Sequence, residues 1–173
     1  MKKWANWVLG IAIVLLILGL TLTTNIFSQR FSQNDNAIKL TDDQLKNILI
    51  ENFNSLEDKL AIYPSSGLIL KAKEEAGIGF AVKNLLNDPE YFVYEIVFKK
   101  SDCAINSNKA EDLIYMKSKG EIKILSGEIG VKRIWFKIPK EMYPCTIWYD
   151  LVVYNKENKE VYEKAPLILR IIK

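Results

Sequence analysis

Between Lys3 and Arg30 the chain carries 26 consecutive residues without a formal charge. The apolar heart of this stretch runs from Trp7 to Leu20 and continues through Leu22. Roughly 20 helical residues span a hydrocarbon core of about 30 Å. A lone segment in lipid has to be a helix, because only a helix satisfies its own backbone there. No face of the segment is polar, as a helix on the surface of a soluble core would require. The sequence therefore predicts a transmembrane signal anchor over residues 1–27, with Trp4 and Trp7 in the interfacial aromatic belt and Leu15 and Leu18 inside the apolar run. A cleaved signal peptide is the competing reading. Its apolar region would be about 7–15 residues long and end at an Ala-x-Ala-like site; here the run is longer, and Thr21-Leu22-Thr23 is a poor stand-in. Lys2, Lys3 and the N-terminal amine flank one end, and Arg30 alone flanks the other. The positive-inside bias then places the N-terminus in the cytoplasm and residues from about 28 onward outside it.

Charge outside the anchor is balanced. The 173 residues include 24 basic and 21 acidic side chains, a net +3, of which Lys2 and Lys3 supply two. From residue 4 onward the balance is 22 basic minus 21 acidic, or +1. So even a balance argues against a nucleic-acid footprint. The chain has no histidine. That removes Ser-His-Asp and Cys-His nucleophile pairs, His-ligated zinc and imidazole acid–base chemistry. Two cysteines cannot complete a structural zinc site. We expect no enzyme activity, no metal and no cofactor.

Residues 28–64 read as a linker followed by a juxtamembrane helix. Ser28 to Asn36 is polar and unpatterned. Thr41-Asp42-Asp43-Gln44 has a capping-box pattern, with both aspartates in the first turn, where the helix dipole favours anions. Leu45, Ile48, Leu49, Phe53, Leu56 and Leu60 recur at helical spacing, which predicts an amphipathic helix over about 42–59. Its apolar stripe either packs on the following domain or mediates self-association beside the membrane. After Pro64-Ser65-Ser66-Gly67 the period changes to two. Strands are expected at 68–73, 78–83, 91–98, 121–125, 134–138 and 146–153, then a hairpin loop at 155–159 and a last strand or two over 160–172, interrupted at Pro166. Both faces of 91–98 are apolar, which marks a central strand. This spacing predicts a mainly β domain over residues 65–173, an antiparallel sandwich or barrel.

Cys103 follows the 91–98 strand and Cys145 opens the 146–153 strand. An even cysteine count in an extracytoplasmic domain predicts a disulfide. It would close a loop of about 40 residues, a stabilisation of roughly 3–4 kcal/mol in the chain-entropy model. The alternative is a pair of buried, reduced thiols.

Tyr143-Pro144-Cys145-Thr146-Ile147-Trp148 places a tyrosine two residues before a cysteine that opens a strand. That spacing resembles the tyrosine corner of immunoglobulin-like domains. Gly79 to Asn84 and Ile138 to Pro144 are similar to the early and late strands of small prokaryotic Ig-like adhesion-type domains. The chain thus resembles membrane-anchored Ig-like proteins of archaea and bacteria over residues 66–173. The resemblance implies an Ig-like fold, a tyrosine corner at Tyr143 and a binding or spacer role without catalytic residues.

Other polar groups read as structural. Asn87, Asp88 and Glu90 form a turn, Asp42 and Asp43 cap a helix, and Glu74-Glu75 marks a hairpin; none has EF-hand spacing. Lys99-Lys100 and Lys132-Arg133 read as solvated strand ends. Of the many strand aromatics, most are expected in the core and a minority in an exposed ligand-binding strip. The expected function is a single-pass, extracytoplasmic binding or scaffold module of the cell envelope. Its partners are the lipid bilayer and an envelope protein or surface layer, with self-association as a further possibility. The rival is a subunit of a pilin-like or archaellum-stator-like assembly that packs through its N-terminal helix.

Overall fold

Thr41 starts the first element. Its hydroxyl accepts from the Gln44 N–H at 3.3 Å, and the Thr41 N–H donates to Gln44 Oε1 at 2.9 Å, completing the capping box. In the computed structural model, which describes residues 40–53, 55–116 and 118–173, helix α1 spans Asp42–Glu51. The expected transmembrane anchor over residues 1–27 and the expected linker residues 28–39 lie outside the described residues. Among the described residues no helix is long and apolar enough to cross a membrane.

Helix α1 stops at Glu51 rather than near 59, because the following residues have other partners. The Ser55 N–H donates to Asp58 Oδ2 at 2.9 Å, a local turn that competes with the helix. Leu56, read as part of the apolar stripe, is 85% exposed. Leu60 begins strand β1 (Leu60–Tyr63), a strand that the helical periodicity hid. The sandwich therefore starts ahead of residue 65.

The remaining elements are β2 (Leu68–Lys71), β3 (Glu75–Lys83), β4 (Glu90–Ser101), helix α2 (Ser107–Glu111), β5 (Lys119–Ile124), β6 (Ile129–Lys137), β7 (Cys145–Asn155) and β8 (Val161–Ile172). They form two sheets, ordered β1-β3-β6 and β2-β8-β7-β4-β5. The chain crosses between the sheets at β1–β2, β2–β3, β3–β4, β5–β6 and β6–β7, and stays within the five-stranded sheet at β4–β5, by way of α2, and at the β7–β8 hairpin. This is the Ig-like arrangement, with its first strand divided between the two sheets. Strand β4 lies inside its sheet, as its two apolar faces predict.

Two strand details depart from the sequence expectation. The β2–β8 pair is parallel, while the other pairings are antiparallel. Leaving β1, the chain turns at Gly67 (φ 84°) and enters the second sheet alongside its last strand. A Cβ at Gly67 would collide with the Ile168 carbonyl oxygen, so the turn needs glycine twice over. Strand β8 also runs unbroken through Pro166, which pairs with Asp150 of β7. Strand β2 reaches only Leu169–Ile172, so Pro166 falls where β8 is an edge strand with β7 beside it, the kind of position that tolerates proline.

Between the sheets Phe80, Phe92, Phe136 and Tyr149 are fully buried, with the Phe80 and Tyr94 rings edge to face at 5.0 Å. A second, smaller cluster forms on the outer side of the three-stranded sheet. There Leu45 and Leu49 of α1 pack on Ala61 and Ala81. The apolar stripe of α1 is thus consumed by its own domain. Gly79 makes this possible: a Cβ there would lie 2.5 Å from Leu45 Cδ1. Arg133 of β6 fixes the start of the helix, donating to the Leu40 carbonyl at 2.8 Å and pairing with Asp42 at 2.9 Å.

Candidate interaction surfaces

Alternation along β4 and β7 gives the five-stranded sheet an outward face. Trp148, Asp150, Val152 and Tyr154 of β7 lie on it, opposite the Lys100, Val97, Glu95 and Val93 positions of β4. Glu121 and Lys123 of β5 continue it beside Val93 and Tyr91. On β8, Lys164 lies across from Val152 and Arg170 across from Thr146. A bulge between Phe98 and Lys100 breaks the alternation and brings two successive lysines to this face. Lys99 pairs with Asp150 at 3.2 Å, and the Lys100 ammonium sits 4.9 Å from the Trp148 ring centroid.

Asp150 is 9% exposed although its strand position points outward. Lys99 covers it from β4 and Lys164, at 2.9 Å, from β8. Burial alone would push its pKa up. Hydrogen bonds and charge from Lys164 and Lys99 outweigh that and hold it below the ordinary carboxylate value. A carboxylate capped by two ammonium groups is a poor proton acceptor and a poor nucleophile.

The rest of the face follows the same rule of rings and acids roofed by lysine. Lys123 and Lys156 lie 5.3 Å and 5.4 Å from the Tyr91 ring centroid. Lys156 also pairs with Glu121 at 2.7 Å, and Lys119 with Glu95 at 3.8 Å. Tyr91 stays 45% exposed and Val97 37%. An apolar strip along β4 and β7 is therefore rimmed by basic groups. Tyr91, Trp148 and Tyr154 share this face, but only Tyr91 is exposed, and the Tyr91 and Trp148 rings carry lysine ammonium groups. Trp135 lies on the other sheet, against Gly77.

At one end of the sandwich two loops are tied into a rigid tip. Asn84 is fully buried; its side-chain amide donates to the Asp88 and Ile124 carbonyls, and its oxygen accepts from the Leu86 N–H at 2.9 Å. Tyr162 donates to the Lys83 carbonyl at 2.8 Å and accepts from the Leu85 N–H at 2.9 Å. Burial is the leading reason that its pKa is raised. Ser126 Oγ donates to the Leu86 carbonyl at 2.7 Å, joining the β5–β6 loop to the β3–β4 loop. The result holds Leu85, Leu86 and Leu125 exposed on fixed backbone. In sequence Leu85 and Leu86 sit in a polar loop stretch without periodicity, and Leu125 reads as the end of the 121–125 strand, so nothing marked the three as a tip.

The opposite end carries the disulfide. Cys103 and Cys145 are joined, with Cα atoms 5.6 Å apart. The bridge links the end of β4 to the start of the adjacent β7, so it staples one sheet instead of tying the two sheets together. Asp102 lies beside both cysteines. The sulfurs are spent on each other, and Asp102 accepts from the Thr146 N–H at 2.6 Å, so the trio offers no metal-ligand set. Tyr143 does not form a tyrosine corner: it is 82% exposed, in the turn before β7. The buried tyrosine is Tyr149, whose hydroxyl donates to the Ala110 carbonyl at 2.8 Å and so ties α2 to the core. Burial pushes its pKa well up.

The expected anchor residues Trp4, Trp7, Leu15 and Leu18 lie outside the described residues. Three of the acidic groups weighed as sites, Glu75, Glu74 and Asp42, are engaged locally. Glu75 pairs with Lys137 at 2.5 Å, and hydrogen bonding with Glu75 is the leading reason that the Lys137 pKa is raised. Glu74 Oε2 accepts from the Lys71 N–H at 2.7 Å, and Asp42 pairs with Arg133. An open groove runs between α1 and β6, past Asp43, Lys46 and Lys132.

No protein-family model matches the chain, and no curated protein matches it. Solved structures do. A family 123 glycoside hydrolase from Clostridium perfringens matches 62% of this chain at 14% identity, with a TM-score of 0.44; the chain spans 23% of that enzyme's length. PapD-like domain 7 of human CEP192 matches 65% of this chain and 83% of its own length, at 10% identity and a TM-score of 0.43. A structure of the complex of zinc 2-glycoprotein and prolactin inducible protein from human seminal plasma matches 69% of this chain and 99% of its own, at 9% identity and a TM-score of 0.41. The strand order itself makes the described domain an Ig-like β-sandwich.

Proposed function

We propose that the chain is a single-pass membrane protein whose sandwich domain lies outside the cytoplasm and acts as a non-enzymatic binding or scaffold module of the cell envelope. The observation that carries this reading is the Cys103–Cys145 disulfide in a domain that follows 26 uncharged residues. Disulfides persist in oxidising compartments and are rare in the cytosol. An uncharged segment of that length suits a membrane span. The surface offered to an envelope protein or surface layer is the leucine-bearing loop tip, where a scaffold of saturated hydrogen bonds presents apolar side chains to solvent.

Thiol accessibility in intact cells tests the placement. A membrane-permeant maleimide should leave the chain unlabelled until a reductant is added. After an impermeant reductant, an impermeant maleimide should label Cys103 and Cys145. Labelling by the permeant maleimide without reductant, with the impermeant maleimide reacting only after lysis, would place the domain in the cytoplasm and overturn the reading. Detergent extraction followed by sizing separates this module from the filament rival, which requires large assemblies.

A further inference from the structure

We propose that the outward face of the five-stranded sheet docks on an anionic lipid surface, that of the same bilayer entered by residues 4–29. This rests on the membrane-anchored reading above. The first support is charge. From Leu40 onward the chain has 20 basic and 20 acidic residues, a net charge of zero. The seven basic side chains placed on this face, Arg170 and the six lysines described above, outnumber Glu95, Glu121 and Asp150 by four. The remainder of the domain must then carry the opposite excess. Such a dipolar domain presents one face to a negative surface, and lysine and arginine near anionic headgroups are each attracted to them.

The second support is the mixture of side chains. Trp148 and Tyr91 have apolar bodies and polar tips, and Lys100, Lys123 and Lys156 lie over their rings. Aromatic rings and snorkelling lysines are the groups that settle at a headgroup boundary. Val97 and Tyr91 are exposed among them.

The third support is reach. Residues 28–39 are twelve in number and extend at most about 43 Å. A domain of this size has a radius of gyration of about 14 Å. The tether is therefore long enough for this face to meet the bilayer and short enough to hold it at high effective concentration.

Amine footprinting of the full chain in vesicles tests the proposal. One set of vesicles is phosphatidylcholine alone; the other is one part phosphatidylglycerol to two parts phosphatidylcholine. Acetylation of Lys99, Lys119 and Lys164, read by mass spectrometry, should be several-fold slower in the anionic vesicles. Lys109 and Lys140, off this face, should react alike in both. High salt should remove the protection, because it screens the attraction. In a double variant, Lys119→Glu with Lys123→Glu, Lys164 should react at the rate seen in neutral vesicles. Equal rates in both vesicle types, with the chain retained after an alkaline wash, would overturn the docking proposal and leave the anchor reading intact. Loss of the chain in that wash would overturn both. Protection that depends on protein density in neutral vesicles would assign the face to a second copy and also overturn the proposal.

Discussion

The two sheets turn different outer faces to the world. On the three-stranded sheet, β3 offers Gly77, Gly79 and Ala81, and the chain's own helix α1 closes over them. On the five-stranded sheet, β4 and β7 offer valines, aromatics and one aspartate, and lysine side chains from β4, β5 and β8 arch over them. Small outer residues admit a helix at close range; large ones keep any helix away and leave the surface to charged side chains. Reinforcement differs accordingly. One sheet is held by apolar packing, the other by a covalent staple between its neighbouring strands β4 and β7.

The largest expected effect falls on the stapled sheet. The Cys103–Cys145 bridge closes a loop with a sequence separation of 42. Replacing both cysteines by alanine should lower unfolding stability by about 4 kcal/mol, on the loop-entropy account. Urea unfolding of the variant against the parent chain checks this. A loss no larger than that of a surface substitution would show that the β4–β7 ladder needs no staple.

The helix-covered face should respond next. Leu49 is fully buried in the small cluster under α1, so Leu49→Ala should cost about 3 kcal/mol. Gly79→Val attacks the same contact from the sheet side by thrusting a side chain into Leu45, and should cost about 2 kcal/mol. Unfolding melts of the two single variants and the double variant decide whether they act on one contact. If the introduced valine has already displaced α1, the second substitution should add little. Full additivity would mean that the helix does not depend on the glycine.

These faces were not equally legible in the sequence. Period-two patterning located seven of the strands, and the cysteine count pointed to the disulfide, because both signals are local or compartmental. Helix α1 read too long, since Leu56 and Leu60 continue its spacing by coincidence while a Ser55–Asp58 turn and the demand of β3 for a partner take over after Glu51. Tyr143 read as a corner from spacing alone, but nothing in spacing reports that the turn leaves it in solvent. The lysine-roofed face was half visible. Lys99-Lys100 stood out as a basic pair, yet only the bulge after Phe98 puts both on one side, and a bulge has no period. Asp150 showed no sign of its burial, because its cover arrives from β4 and β8, far away in sequence.

The open face gives a smaller and pH-dependent prediction. Asp150 has a pKa held below the ordinary 3.8, so its carboxylate stabilises the fold above that value, and the contribution fades as pH falls through the lowered one. Asp150→Asn should cost about 1 kcal/mol at neutral pH, since Lys99 and Lys164 are half exposed and rehydrate when released. The gap between variant and parent should begin to narrow near pH 4 and close only once the pH has fallen through the lowered pKa. A gap independent of pH would mean that Asp150 acts by packing rather than charge.

The smallest effect is the sharpest test of the contrast. Lys119 and Lys123 sit at the exposed β5 edge, one paired with Glu95 at 3.8 Å and the other over Tyr91. If the lysine roof holds up the fold as α1 does on the other sheet, Lys119→Glu with Lys123→Glu should destabilise by an amount comparable to Leu49→Ala. The geometry argues otherwise. An exposed pair at that distance contributes little, because solvent and salt screen it and ordering two long side chains is costly. The expected change in unfolding stability is within about 0.5 kcal/mol. Near-neutral stability would separate the two outer faces by role: the helix on one is part of what folds the domain, and the lysines on the other are free to meet a surface.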